Sequence, residues 1–206
     1  AAAEESLRRH LGVCLDTCHA AVEFEDTDQS IDRLEAAGVR ILKIQLSAGL
    51  SVRPATRERV AAIAPFADDV YLHQVVIRDG SYTSRFVDLP DALDHGRTGD
   101  CAEWRVHFHV PLFLAELGPF RSTQEVVTGV LDRQRARAIS PHLEVETYTW
   151  DVLPQAYRQQ GIVDAIERGR MPRNGDVHVV ERARAHHEAL GRATLLGWTA
   201  VVANAP

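Results

Sequence analysis

The sequence predicts an α/β fold built on parallel strands, and three features carry that prediction. Residues 11–15 (LGVCL) are a compact apolar run ending in Asp16, the pattern of a strand buried on both faces. A helical stretch follows, and then a second apolar run, residues 39–46 (VRILKIQL). Strand, short helix and strand thus succeed one another as in a βαβ unit, whose strands pair in parallel. Residues 142–148 (HLEVETY) alternate as a strand after a helix and end in acidic side chains. That fits the last strand of an α/β barrel, whose site collects at the C-terminal strand ends.

Each element can be justified in order. An acidic loop, residues 23–28, leads into residues 30–37, where Ile31, Leu34 and Ala37 have helical spacing and Gly38 supplies a C-cap. Residues 56–63 read as a short helix and residues 70–77 (VYLHQVVI) as a strand closed by the Asp79-Gly80 turn. Residues 81–103 carry little periodicity and read as a long loop. Residues 104–110 (WRVHFHV) alternate strictly, with Trp104, Val106, Phe108 and Val110 on one side and Arg105, His107 and His109 on the other. Residues 123–138 read as a helix, with apolar Val126, Val127, Val130 and Leu131 and a cap from Ser122 or Thr123. Its arginine run, 133–137, reads as a solvated face. Beyond Pro154 the chain reads as helical, through a linker at 171–175, to a last helix over 177–206 with an apolar end.

Composition narrows the function. The chain has 206 residues, 45% of them hydrophobic and 25% charged, which is a core-forming balance. A net charge of −6 argues against a nucleic-acid binder, which needs a basic face for phosphates. The three cysteines give no even disulfide framework, and the start of the sequence lacks the apolar core of a signal peptide, so the expected location is the cytoplasm. Nucleotide-binding glycine motifs and the nucleophile elbow are missing from the sequence.

The polar residues at the predicted strand ends point to a site. Asp16 and His19 in DTCH fall directly after a strand, and a carboxylate with an imidazole suits Mn²⁺, Mg²⁺, Co²⁺ or Zn²⁺. The alternative is that Asp16 caps the next element. His107 and His109 face one way on their strand, as do Glu144 and Glu146 on theirs. If both strands line one barrel, all four side chains point to a shared interior, where they must be solvated, paired or bound to metal. His73, between apolar neighbours, reads more readily as a core histidine. Cys14 and Cys18 lack zinc-type spacing, and Cys18 beside His19 is a weak candidate for a reactive thiol.

LGVCLDTCH, followed by a helix and KIQLS, resembles the sixth and seventh strands of the xylose-isomerase-like TIM barrels, the sugar phosphate isomerase/epimerase superfamily, and HLEVETY resembles their eighth. More closely, GVCLDTCHAAVEFED, KIQLS, YLHQV, WRVHFHVPLF and HLEVETYTWDVLP, in that order over residues 11–154, resemble the metabolite-traffic proteins of the bacterial ebo gene cluster, a family within that superfamily. The resemblance implies a partial (β/α)8 barrel in residues 1–154, made of its C-terminal strands and helices, and a helical extension over 155–206. It implies that the chain is the C-terminal part of a longer protein. It also implies an isomerase- or epimerase-like activity on a small polyhydroxylated molecule or secondary-metabolite precursor. The alternative is a binding or trafficking protein that has lost the metal site. In the epimerase branch a Glu, an Asp, a His and a final Glu hold the cation. The Asp falls on Asp16 and the final Glu on Glu146, but the His falls on Gln45, a departure because a neutral amide is a poor ligand. The implied metal ligands are then Asp16, His107, His109 and Glu146, and the implied catalytic groups Glu146 and His19. The implied substrate contacts are Gln45, His73, Glu144 and Trp150. Residues 189–206 faintly resemble the start of a UbiA-like membrane prenyltransferase, which makes such an enzyme a candidate partner beside the small-molecule ligand.

Overall fold

The computed structural model describes residues 5–7, 10–68, 71–146 and 199–203. Its architecture is mixed α/β with two sheets. The first contains β1 (Val13–Asp16), β2 (Ile41–Leu46) and β9 (His142–Glu146), mutually parallel in the order β1-β2-β9, with β10 (Thr199–Ala203) antiparallel on the outer edge of β9. These are the three strands read from the sequence as parallel. Among the described residues the sheet stays open at β1 and no barrel closes.

One face of the parallel sheet is apolar. Ile44, Leu46 and Leu143 are buried in a single core with Ile31 of α2 (Thr27–Ala36) and with Val127 and Val130 of α5 (Gln124–Ala136). α2 begins earlier than its periodicity suggests, because Asp26 accepts a hydrogen bond from the Gln29 amide and caps the helix inside the acidic stretch. Gly38, with φ of 68°, ends the turn that leads to β2, in the left-handed region that glycine occupies freely. The arginines of α5 are not simply solvated. Arg133 pairs with Asp28 and Asp32, and Arg137, the C-cap just past the helix, pairs with Glu35, so they tie α5 to α2.

Between β2 and α5 the chain builds a second sheet. Its order is β5-β4-β6-β3-β8-β7, antiparallel throughout. The strands are β3 (Ala48–Val52), β4 (Val75–Asp79), β5 (Tyr82–Phe86), β6 (Ala102–Val110), β7 (Glu116–Leu117) and β8 (Phe120–Ser122). Three expectations are corrected here. Residues 81–103 are not a loop but hold β5, α4 (Leu89–His95) and the start of β6. Of the strand expected over 70–77, Val75 to Ile77 lie in β4, while Tyr71 to Gln74 precede it. The histidine strand β6 belongs to this antiparallel sheet and is not a neighbour of β9.

The alternation read from 104–110 does hold. Trp104, Val106, Phe108 and Val110 are buried, and Phe66 stands edge-on to both Phe108 and Phe120, with centroids 5.1 and 5.6 Å apart. α3 (Arg57–Ala62), capped by Thr56, leads to the short turn that carries Phe66. The Trp104 indole donates to the Arg97 carbonyl at 2.7 Å and lies so close over Gly96 that a Cβ there would fall 2.4 Å from its ring. The opposite face of this sheet receives α1 (Thr17–Val22), a helix that the sequence reading leaves as loop. Cys18 and Val22 pack on Val76, and the Arg105 guanidinium donates to the Ala21 carbonyl at 2.6 Å.

The helix expected over 177–206 does not include its apolar end, since Thr199–Ala203 is a strand. A short apolar run rich in β-branched residues suits either state, and pairing with β9 selects the strand. The rest of the expected extension, 155–198, lies outside the described residues, as does most of the segment likened to a prenyltransferase. No described helix is long and apolar enough to cross a membrane.

Phe108→Ala should cost about 3–5 kcal/mol, because a fully buried ring at the centre of the aromatic cluster leaves a cavity. Arg133→Ala should cost less than about 1 kcal/mol, its partners being largely exposed. Urea denaturation of the two variants checks the contrast.

Candidate functional site

The DTCH motif is the hinge between the two sheets. β1 ends at Asp16 and α1 starts at once, so the first amides of α1 need acceptors. Asp16 Oδ1 accepts from the amides of Cys18 and His19 at 2.8 and 3.0 Å and from the Ser47 hydroxyl at 3.1 Å. Thr17 Oγ1 donates to the Ser47 carbonyl at 2.7 Å and accepts from the Ser47 amide at 2.9 Å. Ser47 is the single residue between β2 and β3, so the motif fastens the start of α1 to the point where the chain changes sheets. The capping alternative for Asp16 is the observed one.

The second face of the parallel sheet is polar. Register places Cys14 beside Lys43, Asp16 beside Gln45, and Gln45 beside Glu144. The Cys14 thiol donates to Gln45 Oε1 at 3.2 Å, and Gln45 Nε2 donates to Glu146 Oε2. Lys43 Nζ meets Glu144 at 2.7 Å, where Glu144 is almost fully buried. Burial, followed by the nearby Asp16 charge, raises the Glu146 carboxyl above the usual range, while the Gln45 hydrogen bond opposes the rise. Burial likewise raises the Cys14 thiol.

Beyond these strand ends stands a group of imidazoles. His19 on α1 meets the His107 ring edge-on with centroids 4.3 Å apart, and His107 Nε2 lies 3.2 Å from His109 Nε2. His107 Nδ1 is 2.7 Å from Gln74 Oε1, which accepts its proton. Burial lowers His107 to about 4, with His19 adding to the effect, and burial holds His109 well below the usual range. Both rings are therefore neutral at neutral pH. Cys18, fully buried beneath them, has its thiol raised well above the usual value by burial. It is not a reactive thiolate on its own.

The structure thus sorts the predicted residues. Asp16, Gln45, Glu144 and Glu146 share the polar face, and His19, His107 and His109 gather above it. His107 and His109 do not meet Asp16 and Glu146 as one ligand set. Instead, donor atoms of Cys18, His107 and His109 lie within 4.8 Å of one another, a group that could hold a metal ion. Cys18 was missed as a partner because its neighbours lie some ninety positions away. The only sequence signal was that His107 and His109 share one face of a strand. His73 is a core histidine: fully buried, it bonds Asp68 Oδ2 at 2.6 Å and stacks near Phe108. Trp150 lies outside the described residues. Comparison with protein-family models, curated proteins and solved structures finds no match.

Two predictions follow from the bonds around the strand ends. With a chelator present, Asp16→Ala should lower stability by about 1–2 kcal/mol through the lost cap, and Asp16→Asn by clearly less, since Asn caps as well as Asp. Thermal melts of both variants read this. The hydrogen bond that Lys43 donates to the Glu144 carboxylate raises the ammonium above its ordinary pKa. That stabilisation is complete below the unfolded lysine value, about 10.4, and is lost as pH rises through the higher folded value. Stability should therefore fall more steeply at strongly alkaline pH in the wild type than in Lys43→Met.

Proposed function

We propose that the chain binds and hands on a small polyhydroxylated molecule at the C-terminal ends of its parallel strands, as part of an isomerase/epimerase-like α/β barrel of the metabolite-traffic type. The observation that carries this reading is the bond from Gln45 Nε2 to Glu146 Oε2. It bears on the cation that the resemblance implies. Of the carboxylates for that ion, Glu146 already accepts from an amide, and Asp16 Oδ1 is shared among two backbone amides and a hydroxyl. Gln45 offers a neutral amide where an imidazole would be needed. This set does not fit a hard divalent ion.

What the same groups can do is recognise hydroxyls. Glu146 and Asp16 accept, the Gln45 amide both donates and accepts, and the His19 imidazole stands beside them with a ring nitrogen on either side. Parallel strand ends are where open α/β sheets and barrels bind ligands. A second reading, proton abstraction next to a carbonyl by Glu146, is favoured by its raised carboxyl pKa, which suits a general base.

Titration with a panel of aldoses, ketoses and cyclic polyols, followed by NMR in deuterated water, tests both readings. The expected result is binding with no exchange of carbon-bound protons, with or without Mn²⁺, weakened about ten- to a hundredfold by Glu146→Ala through loss of charge-assisted hydrogen bonds. Mn²⁺-dependent exchange would replace the first reading by the second. Failure of the whole panel to bind would remove both.

A further inference from the structure

We propose that Cys18, His107 and His109 form a three-ligand site for a borderline-soft transition metal ion, Zn²⁺, with a fourth position open to water or a ligand atom. The site adjoins the polar strand ends but uses none of their carboxylates, so it stands or falls apart from the preceding reading. Four observations support it. Donor atoms of the three residues lie within 4.8 Å of one another. The two Nε2 atoms are 3.2 Å apart, close to the roughly 3.3 Å edge that two imidazoles make on a tetrahedral ion with bonds of about 2.0–2.1 Å. Cys18 and His109 are buried, so the ion would be shielded from water on the protein side. Finally, Gln74 Oε1 accepts from His107 Nδ1 and leaves Nε2 as the lone-pair nitrogen, the outer-shell arrangement that orients metal-binding imidazoles.

The donor set also selects the metal. One thiolate with two imidazoles suits Zn²⁺ and disfavours Mg²⁺ and Mn²⁺, which prefer oxygen. Three protein ligands with an open position is the pattern of zinc sites that act on a bound molecule, not of closed structural ones. Binding exchanges the Sγ–H bond for an Sγ–Zn bond and sends the proton to solvent, with no change of oxidation state. On a tetrahedral ion the sulfur sits about 3.6 Å from each nitrogen, inside the 4.8 Å that bounds the separations of these donor atoms. α1 is short and carries Cys18 in its first turn, next to the Asp16 and Ser47 bonds that hold it.

The test uses the full chain loaded with Co²⁺ as a spectroscopic stand-in, then competed with Zn²⁺. The expected result is about one equivalent bound, with a thiolate-to-cobalt charge-transfer band and tetrahedral d–d bands that Zn²⁺ abolishes. Cys18→Ser should lose the charge-transfer band. His107→Gln, at the least buried ligand, should weaken binding by more than the roughly 10- to 100-fold expected for Gln74→Ala at the outer shell. Glu146→Gln should keep band and stoichiometry. No band in the wild type, a band that survives Cys18→Ser, or binding lost in Glu146→Gln but not in His107→Gln would each overturn the proposal.

Discussion

Much of the structure depends on how Asp16 and Thr17 grip Ser47. β1 must hand over to α1 without a loop, and β2 must hand over to β3 with one residue between them. Both transitions leave buried backbone groups in need of partners, and each supplies the partners of the other. Asp16 takes two α1 amides and the Ser47 hydroxyl, while Thr17 exchanges two bonds with the Ser47 backbone. α1 is thereby fixed between the parallel sheet and the antiparallel one. The position of His19 and Cys18 against β6 is a consequence, since a six-residue helix pinned at its start has little freedom to turn.

The parallel strands were legible as compact apolar runs, although only one of their faces is packed in the core and the expected burial on both faces is not found: Cys14 is exposed and Lys43 half-buried. LGVCL and ILKIQL are such runs, and of the helices between them α2 has clear apolar spacing whereas α1 has none that was read. The inserted sheet was legible at β6, where residues 104–110 alternate, and in part at β4, which takes Val75–Ile77 from the run read as a strand over 70–77. β5 reads YTSRF with its side chains mostly exposed, and β3 reads AGLSV, made largely of small residues. Neither carries a periodic signal, and both exist because long-range pairing with β4 and β6 supplies their hydrogen bonds. The residues of the site were legible in kind but not in grouping. His107 and His109 share a face as the alternation requires, yet β6 lies in a different sheet from β9, so they meet Cys18 and His19 instead of the Asp16 and Glu146 carboxylates.

A parallel sheet normally buries both faces with apolar side chains, and here one face instead carries Cys14, Asp16, Lys43, Gln45, Glu144 and Glu146. Such a face is tolerable only when its members satisfy one another. Lys43, the sole lysine in the chain, neutralises buried Glu144, and Gln45 bridges Cys14 to Glu146. The amide is the piece that makes this work. It donates from one end and accepts at the other, which an imidazole of fixed tautomer or a second carboxylate at this place would do less well.

That same satisfaction decides what the site can do. Carboxylates held by amide and hydroxyl donors are poor at gathering a hard cation, because binding it would break bonds already made in a partly buried setting. They remain able to accept from ligand hydroxyls, which replace one set of donors by another at little cost. The imidazoles differ. His107 and His109 come from the inserted sheet, are neutral because burial disfavours their charged form, and lie above a buried sulfur. Neutral nitrogens and a thiol gain most from an ion of intermediate softness, which would replace proton and solvent at once. The inserted sheet therefore adds to the strand ends a type of donor that the parallel sheet lacks, and the short helix held by Asp16 brings the two together.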